Sequence, residues 1–147
     1  MTNLLNEQIT KQIQEVFSGL KDPVEMLFFG AEQNCQYCDE TRQLAEEVAA
    51  LSEKISICVY DLKKDDEIAK TFGVDSTPHL VMAAKDDEGT QDLGVHFRGI
   101  PSGHEFTSFI QALLIVSSRD SGLREPTRAF LKALEKPISL QVFVTPT

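Results

Sequence analysis

The sequence has no tryptophan, only three cysteines and no long uninterrupted apolar segment. A helix that crosses a membrane needs about 18 or more consecutive apolar residues, so the sequence predicts no such helix. Three cysteines are too few, and odd in number, for the disulfide framework of a small secreted domain. The first 20 residues also lack the basic start and apolar centre of a signal peptide. We therefore expect a cytoplasmic protein.

Basic residues are scarce relative to acidic ones. Lys and Arg number 14 against 23 Asp and Glu, which gives a net charge of −9. This balance argues against a nucleic-acid surface, because such surfaces use Lys and Arg to neutralise phosphates. It argues equally against binding to an anionic membrane, and it favours solubility. The 147 residues suffice for one ordinary domain with an apolar core.

Apolar periodicity predicts alternating helices and strands through most of the chain. The predicted order is helix 3–19, strand 24–30, helix 35–52, strand 55–62, helix 65–72, a strand opening near Pro78, a turn at 86–89, strand 92–99 and a helix ending near Ser117. Ser102 and Glu105 have the spacing of a capping box, which predicts that the last helix begins there. The first two strands should pair in parallel, and the last two should form an antiparallel hairpin.

The C-terminal region resembles an earlier part of the chain. LKDPVEMLFF, residues 20–29, and LEKPISLQVF, residues 134–143, align with leucine, proline and phenylalanine in register. This pattern predicts a first unit at 1–120, and a linker, helix and strand at 121–147 that open a second, truncated unit. The strand predicted at 138–144 should be an exposed edge. We expect it to join its own sheet, to pair with a neighbour in a homodimer, or to be disordered.

The stretch NCQYCDE contains two cysteines, Cys35 and Cys38, in C-x-x-C spacing. Residues i and i+3 of a helix lie about 5–6 Å apart at Cβ, near the range that a disulfide needs. A helix starting at Cys35 would lower the pKa of its thiol through unpaired N–H groups and the helix dipole. Cys35 is then the attacking thiol and Cys38 the resolving one. Gln36 and Tyr37 between them would tune the redox poise.

Two other interpretations of the cysteine pair stay open. A structural zinc site needs four ligands, so Cys35 and Cys38 would need His79 or a second protomer. A non-catalytic module could instead hold an extended peptide in a groove. Cys58 lies in an apolar strand and is interpreted as a small buried hydrophobic residue. His79 is either structural or a proton donor close to the sulfurs.

The CQYC motif after an apolar strand, followed by FGVDSTPHLV, resembles the thioredoxin superfamily. Gly73–Pro78 resembles the family segment G-V-x-x-x-P, whose proline is cis and whose backbone receives the substrate chain. Together with FRGIPSGHEF and the apparent second unit, the chain resembles the tandem, glutaredoxin-like protein disulfide oxidoreductases. One departure is that the strand MLFFG lacks the acid that many thioredoxins carry before the cysteines. Glu25 and Glu32 lie nearby but do not match that acid.

The resemblance implies a thioredoxin-like α/β fold with a four-stranded mixed sheet ordered 2-1-3-4, helices on both faces and an extra N-terminal helix. It implies thiol–disulfide exchange with no cofactor beyond the cysteine pair. The substrate-binding residues would be Gln36, Tyr37, Thr77 and Pro78. The implied partners are disulfide-containing proteins, with a thioredoxin-reductase-like donor and a peroxiredoxin as further candidates.

Overall fold

A computed structural model of the chain describes residues 2–145. Its helices and strands are α1 (Glu7–Phe17), β1 (Val24–Gly30), α2 (Cys38–Ala49), β2 (Ile55–Asp61), α3 (Asp66–Thr71), β3 (His79–Asp86), β4 (Gly89–Arg98), α4 (Glu105–Ser118) and α5 (Glu125–Lys132). The sheet order is β2-β1-β3-β4, as predicted. β1 and β2 pair in parallel, whereas β3 pairs antiparallel with both β1 and β4.

Helices cover both faces of the sheet. Successive strand residues point to opposite faces, so β1 sends Val24, Met26 and Phe28 to one side and Leu27 and Phe29 to the other. The first side forms the larger apolar core with α1, α2 and α4, and it includes Cys38. The second side forms a smaller core with α3. We call these the cysteine face and the α3 face.

Two predicted helix starts are wrong, each for a backbone reason. α2 begins at Cys38 and not at Cys35, because Tyr37 before it has a left-handed backbone with φ 65°. α4 begins at Glu105 and not after Ser102, because Gly103 has φ 62°, which a right-handed helix cannot contain. The predicted capping box is therefore absent, and within the described residues His104 precedes the helix without a side-chain cap.

The C-terminal region contains the predicted helix, as α5, but residues 138–144 form no strand. Their apolar side chains are exposed, with Leu140 and Phe143 each 89% accessible. They therefore do not join the chain's own sheet, and the assignment of 121–147 to a second unit stays a prediction. No helix in residues 2–145 is both long enough and apolar enough to cross a membrane.

Candidate functional site

The two cysteines of the C-x-x-C motif are joined in a disulfide at the junction between β1 and α2. Their Cα atoms lie 5.6 Å apart. Cys35 lies in the loop before α2 and is half-buried, whereas Cys38 is the first helical residue and only 8% exposed. Since Cys35 precedes the helix by three residues, its sulfur does not belong to the first turn. The predicted placement of Cys35 at the helix N-terminus is therefore wrong, but its greater exposure is consistent with an attacking role.

Gly30, the last residue of β1, lies directly against Cys38. A Cβ built on Gly30 would be 3.4 Å from Cys38 Sγ and 2.8 Å from the Phe28 ring. Only glycine therefore fits at this position without moving its neighbours. The sequence indicated that Gly30 ends a strand, but it did not predict the contact with Cys38. A glycine at the end of an apolar strand, just before the cysteines, is the signal that could have predicted it.

A turn centred on Tyr37 connects the cysteines and orients the start of α2. The backbone carbonyl of Tyr37 accepts hydrogen bonds from the N–H of Thr41 at 2.9 Å and from its hydroxyl at 2.6 Å. Thr41 is fully buried, whereas the Tyr37 side chain is 48% exposed. The turn thus presents Tyr37 outward beside the disulfide. Gln36 is exposed next to it.

The Thr77–Pro78 peptide bond is cis, as the family resemblance implies. β1 and β3 pair Phe29 with His79, so the same register places Pro78 opposite Gly30. A Cβ built on Gly30 would lie 3.4 Å from Cys38 Sγ, so the Thr77–Pro78 loop and the cysteine pair lie at the same end of the sheet. The Pro78 carbonyl accepts a hydrogen bond from the Gly99 N–H at 2.9 Å, which joins the loop to the end of β4.

A groove of about 840 Å³ runs from Tyr37 along β4, which is an edge strand of the sheet. Its lining includes Gly99, Ile100 and Glu105 on one side and residues 138–144 on another. Burial raises the pKa of the half-buried Glu105 carboxyl. Tyr37 is the predicted site residue that reaches this groove, while Gln36, Thr77 and Pro78 do not line it. An extended chain entering the groove would pass beside the C-x-x-C turn.

Neither nearby glutamate supplies a proton relay to the cysteines. Glu25 lies on the α3 face roughly 16 Å along β1 from Gly30. It is 7% exposed and accepts hydrogen bonds from Lys85 at 2.8 Å and from Thr90. Burial alone would raise the pKa of Glu25, but these hydrogen bonds outweigh burial and lower it. Glu32 forms an exposed ion pair with Lys64.

His79 is fully buried, but it does not face the sulfurs. On β3 the Leu80 side chain belongs to the cysteine face and the Val81 side chain to the α3 face. Since side chains alternate along a strand, His79 points to the α3 face. The suggestion that it lies near the sulfurs as a proton donor is therefore wrong. Its Nε2 lies 2.8 Å from Nδ1 of His96, and Nε2 of His96 lies 2.7 Å from Oδ2 of Asp92. Burial, with smaller effects from His96 and Arg98, lowers the pKa of His79 to about 4.

Cys58 lies apart from the disulfide, on β2. Its Sγ contacts Glu25 Oε1 at 3.5 Å, and burial together with that carboxylate raises the pKa of the thiol. It is half-buried rather than fully buried as predicted. Within residues 2–145, no group of three or more His, Cys, Asp or Glu side chains could hold a metal ion.

Comparisons with known proteins agree with this geometry. A family model described as a thioredoxin domain matches residues 28–111, which include the C-x-x-C motif, Thr77 and Pro78. The curated F subunit of the alkyl hydroperoxide reductase from Staphylococcus epidermidis is 28% identical over 144 residues, or 98% of this chain. The chain spans about 25% of the length of that relative.

Two solved structures resemble most of this chain. A protein disulfide oxidoreductase from Aeropyrum pernix superposes on 88% of this chain and 55% of its own, with a TM-score of 0.77 and 23% identity. The NTD_N/C domain of alkylhydroperoxide reductase AhpF from Enterococcus faecalis superposes on 90% of this chain and 62% of its own, with a TM-score of 0.78 and 26% identity. The first likeness shows the fold, and the second agrees with the curated relative.

Proposed function

Because the chain belongs to the thioredoxin-domain family, we propose that it catalyses thiol–disulfide exchange through Cys35 and Cys38. One observation carries the proposal. The disulfide joins a half-buried sulfur to a buried one at the end of the sheet where the cis Thr77–Pro78 loop also lies. An accessible sulfur can meet a substrate, and a buried sulfur one turn away can displace it.

The exchange balances in two steps. The Cys35 thiolate attacks one sulfur of a substrate disulfide, that bond breaks, and the leaving sulfur takes up a proton. The deprotonated Cys38 then attacks the Cys35 sulfur of the mixed disulfide and releases the second substrate thiol. Two electrons pass to the substrate and the Cys35–Cys38 bond forms, so an external dithiol or reductase must reduce the pair before the next turnover.

Four residues are proposed to hold the substrate chain. Thr77 and Pro78 belong to the loop at the same end of the sheet as the cysteine pair, and Gln36 and Tyr37 are the exposed residues between the cysteines. Tyr37 also lines the groove of about 840 Å³ along β4. The groove therefore supports a protein substrate.

The proposed partners follow from the same chemistry. A thioredoxin-reductase-like donor would supply electrons, and a peroxiredoxin or another disulfide-containing protein would receive them. The curated relative is a subunit of an alkyl hydroperoxide reductase, which supports a peroxide-linked acceptor. A cytoplasmic location suits a pair that an intracellular reductase must keep reduced.

The test measures insulin reduction with dithiothreitol as donor. Cys35→Ser should reduce turnover by roughly a thousandfold, since loss of a covalent nucleophile removes its whole pathway. In Cys38→Ser, Cys35 should still attack the substrate disulfide, but the mixed disulfide should not be resolved. Incubated with oxidised glutathione, it should accumulate a mixed disulfide at Cys35 that mass spectrometry detects on the matching peptide.

Cys58→Ser is the matched control, since that thiol lies on β2 away from the pair. It should retain wild-type turnover and should not change the mixed-disulfide yield. If Cys35→Ser reduces insulin as fast as the wild type, the proposed exchange is wrong. A protein that binds the insulin B chain without any exchange would instead be a peptide-binding module.

Residues 138–144 are proposed to add a strand to a sheet edge, their own after rearrangement or that of a second copy in a homodimer. Their apolar side chains are exposed, and they line the same groove as the edge strand β4. The full chain should then sediment as a dimer at micromolar concentration, and Leu140→Lys should convert it to a monomer. Leu123→Lys, outside the segment, is the control. A monomeric wild type would contradict pairing between copies.

A further inference from the structure

An irregularity in the β3–β4 hairpin brings together two residues that a regular strand would separate. Val81 pairs with His96 and Ala83 pairs with Asp92, so residues 93–95 lie opposite Met82 alone. Asp92 and His96 would be roughly 13 Å apart along a straight strand. In the structure, Oδ2 of Asp92 lies 2.7 Å from Nε2 of His96. The bulge therefore brings the Asp92 side chain within hydrogen-bonding distance of His96, and bulges beside functional sites often reorient side chains in this way.

Asp92 also stabilises the bulge. Its Oδ1 accepts a hydrogen bond from the backbone N–H of Gly94 at 2.8 Å. Gly94 has φ 87°, a conformation that glycine adopts without a steric penalty. One oxygen of Asp92 thus holds the bulged backbone and the other holds His96. The Asp92 side chain is 27% exposed and that of His96 23% exposed, so this end of the network reaches the surface.

The chemistry of the three groups sets the direction of their hydrogen bonds. A carboxylate only accepts, so Nε2–H of His96 donates to Asp92. When both imidazoles are neutral, Nδ1 of His96 is an acceptor and receives the Nε2–H of His79, with the two nitrogens 2.8 Å apart. Nδ1 of His79 then carries a lone pair. It is a buried side-chain atom without a hydrogen-bond partner among residues 2–145.

His79 forms the buried end of the network. Its side chain is 0% exposed and it directly follows the cis proline Pro78. The Pro78 carbonyl is itself bonded to the Gly99 N–H at the end of β4. A backbone hydrogen bond from β4 to Pro78 and the side-chain contact of His79 with His96 therefore both hold this part of the chain against β4.

Among the described residues, His96 is the one hydrogen-bond partner of the His79 side chain. Arg98 of β4 pairs with His79 in the sheet. Its guanidinium lies 3.5 Å from the carboxylate of Asp75, in the loop before β3, so these two opposite charges pair with each other. From β1, the paired residue is the uncharged Phe29. α3 and the residues after it contribute apolar side chains to the smaller core on this face.

We infer that Asp92, His96 and His79 form a hydrogen-bonded relay that positions the Thr77–Pro78 loop for the substrate chain. His79 is a positioning residue and not a catalytic one, because it lies on the α3 face, away from the sulfurs. This inference rests on the proposed thiol–disulfide exchange. It requires that breaking the relay weakens substrate binding while the disulfide chemistry itself is unchanged.

Two substitutions of His79 separate a hydrogen-bonding role from a packing role. His79→Gln places an amide N–H near the position of Nε2 and keeps the donor to His96, whereas His79→Leu removes it. In insulin reduction at pH 7.5, His79→Leu should raise KM about fivefold, the effect of losing one hydrogen bond, with kcat unchanged. His79→Gln should restore KM to near the wild-type value. The glutathione equilibrium of the Cys35–Cys38 pair should be the same in all three proteins.

Asp92→Ala tests the same relay from its partly exposed end, and it also removes the hydrogen bond from the Gly94 N–H that holds the bulge. It should raise KM in the same direction, and an unchanged KM in both Asp92→Ala and His79→Leu would overturn the inference. Equal KM values for His79→Gln and His79→Leu would also overturn it, since packing alone would then explain the loss.

Hydrogen exchange of the Gly99 amide separates failure of the inference from failure of the proposed function. This amide bonds to Pro78, and its exchange should be faster in His79→Leu than in the wild type and His79→Gln. If the wild type reduces no insulin, the proposed function fails, and the exchange rates alone decide whether the relay holds the loop. Equal rates in the three proteins would then reject it.

Discussion

The two faces of the sheet bury different kinds of side chain. The cysteine face packs apolar residues of α1, α2 and α4 around Cys38, and the disulfide lies at its edge. The α3 face has a smaller apolar core and, beside it, the buried Glu25 and His79 with their partners. The buried ionisable side chains Glu25 and His79 thus lie on the face opposite the core that contains Cys38. The Thr77–Pro78 loop lies at the end of the sheet that holds the disulfide, and it leads directly into His79 on the α3 face.

The largest expected effect comes from the core of the cysteine face. Phe109 is fully buried and packs edge-on against Phe97 with ring centroids 5.8 Å apart. Phe109→Ala should lower the free energy of unfolding by about 3–5 kcal/mol, since it leaves a cavity that its neighbours cannot fill. Urea denaturation at pH 7.5 measures this change. Phe130→Ala, at a side chain 65% exposed on α5, is the control, and a similar loss in both variants would contradict the assignment of the core.

The next effect depends on pH and comes from His79 on the α3 face. The pKa of His79 falls from 6.5 unfolded to about 4 folded, chiefly through burial. A lowered pKa means that the stabilisation is complete above pH 6.5 and is lost as the pH falls through 4. The loss should approach about 3 kcal/mol. It is measured as the change in unfolding free energy between pH 7.5 and pH 4.

His79→Leu supplies the matched comparison for this pH dependence. The variant lacks the titrating group, so its stability should fall less over the same pH range. The difference between the two curves isolates His79 from carboxyls such as Glu25, whose lowered pKa also reduces stability in acid. Parallel curves for the two proteins would show that folding does not shift the pKa of His79.

A smaller effect tests how closely the cysteine face is packed under the disulfide. Gly30→Ala places a methyl group 2.8 Å from the Phe28 ring, which must move. Overpacking of this kind should destabilise the fold by about 1–3 kcal/mol. Thermal unfolding of the oxidised protein measures it. Adding Phe28→Leu should recover part of the loss, and strictly additive effects would contradict a direct clash.

The smallest effect is expected on the exposed side of α2. Arg42 and Glu46 form a pair 2.7 Å apart whose side chains are about half exposed. Arg42→Ala should change stability by no more than about 0.5 kcal/mol, because exposed pairs of this spacing contribute little. Urea denaturation in low and high salt checks this. A larger loss that persists in high salt would show that Arg42 has a packing role.

Regular patterns in the sequence predicted most of the fold. Apolar alternation and turn residues located all four strands of the described sheet, including β1 at its observed bounds. The C-x-x-C spacing and the Thr77–Pro78 segment identified the site, and the family comparison agrees with it. The two wrong helix starts fall where one backbone conformation interrupts a pattern. Tyr37 and Gly103 adopt left-handed φ values, and each delays a helix that the side chains alone would start earlier.

By itself the sequence determined the order of the strands and helices, the cysteine pair and the proline loop, because each depends on residues that are close in the chain. Only the tertiary structure shows which residues from different strands meet. His79 and His96 are 17 positions apart, and a bulge at Gly94 was needed to bring Asp92 to them. It also decided that Cys38 packs on Gly30 and that residues 138–144 stay outside the sheet. Such contacts depend on register and backbone shape, which no local pattern of residue types contains.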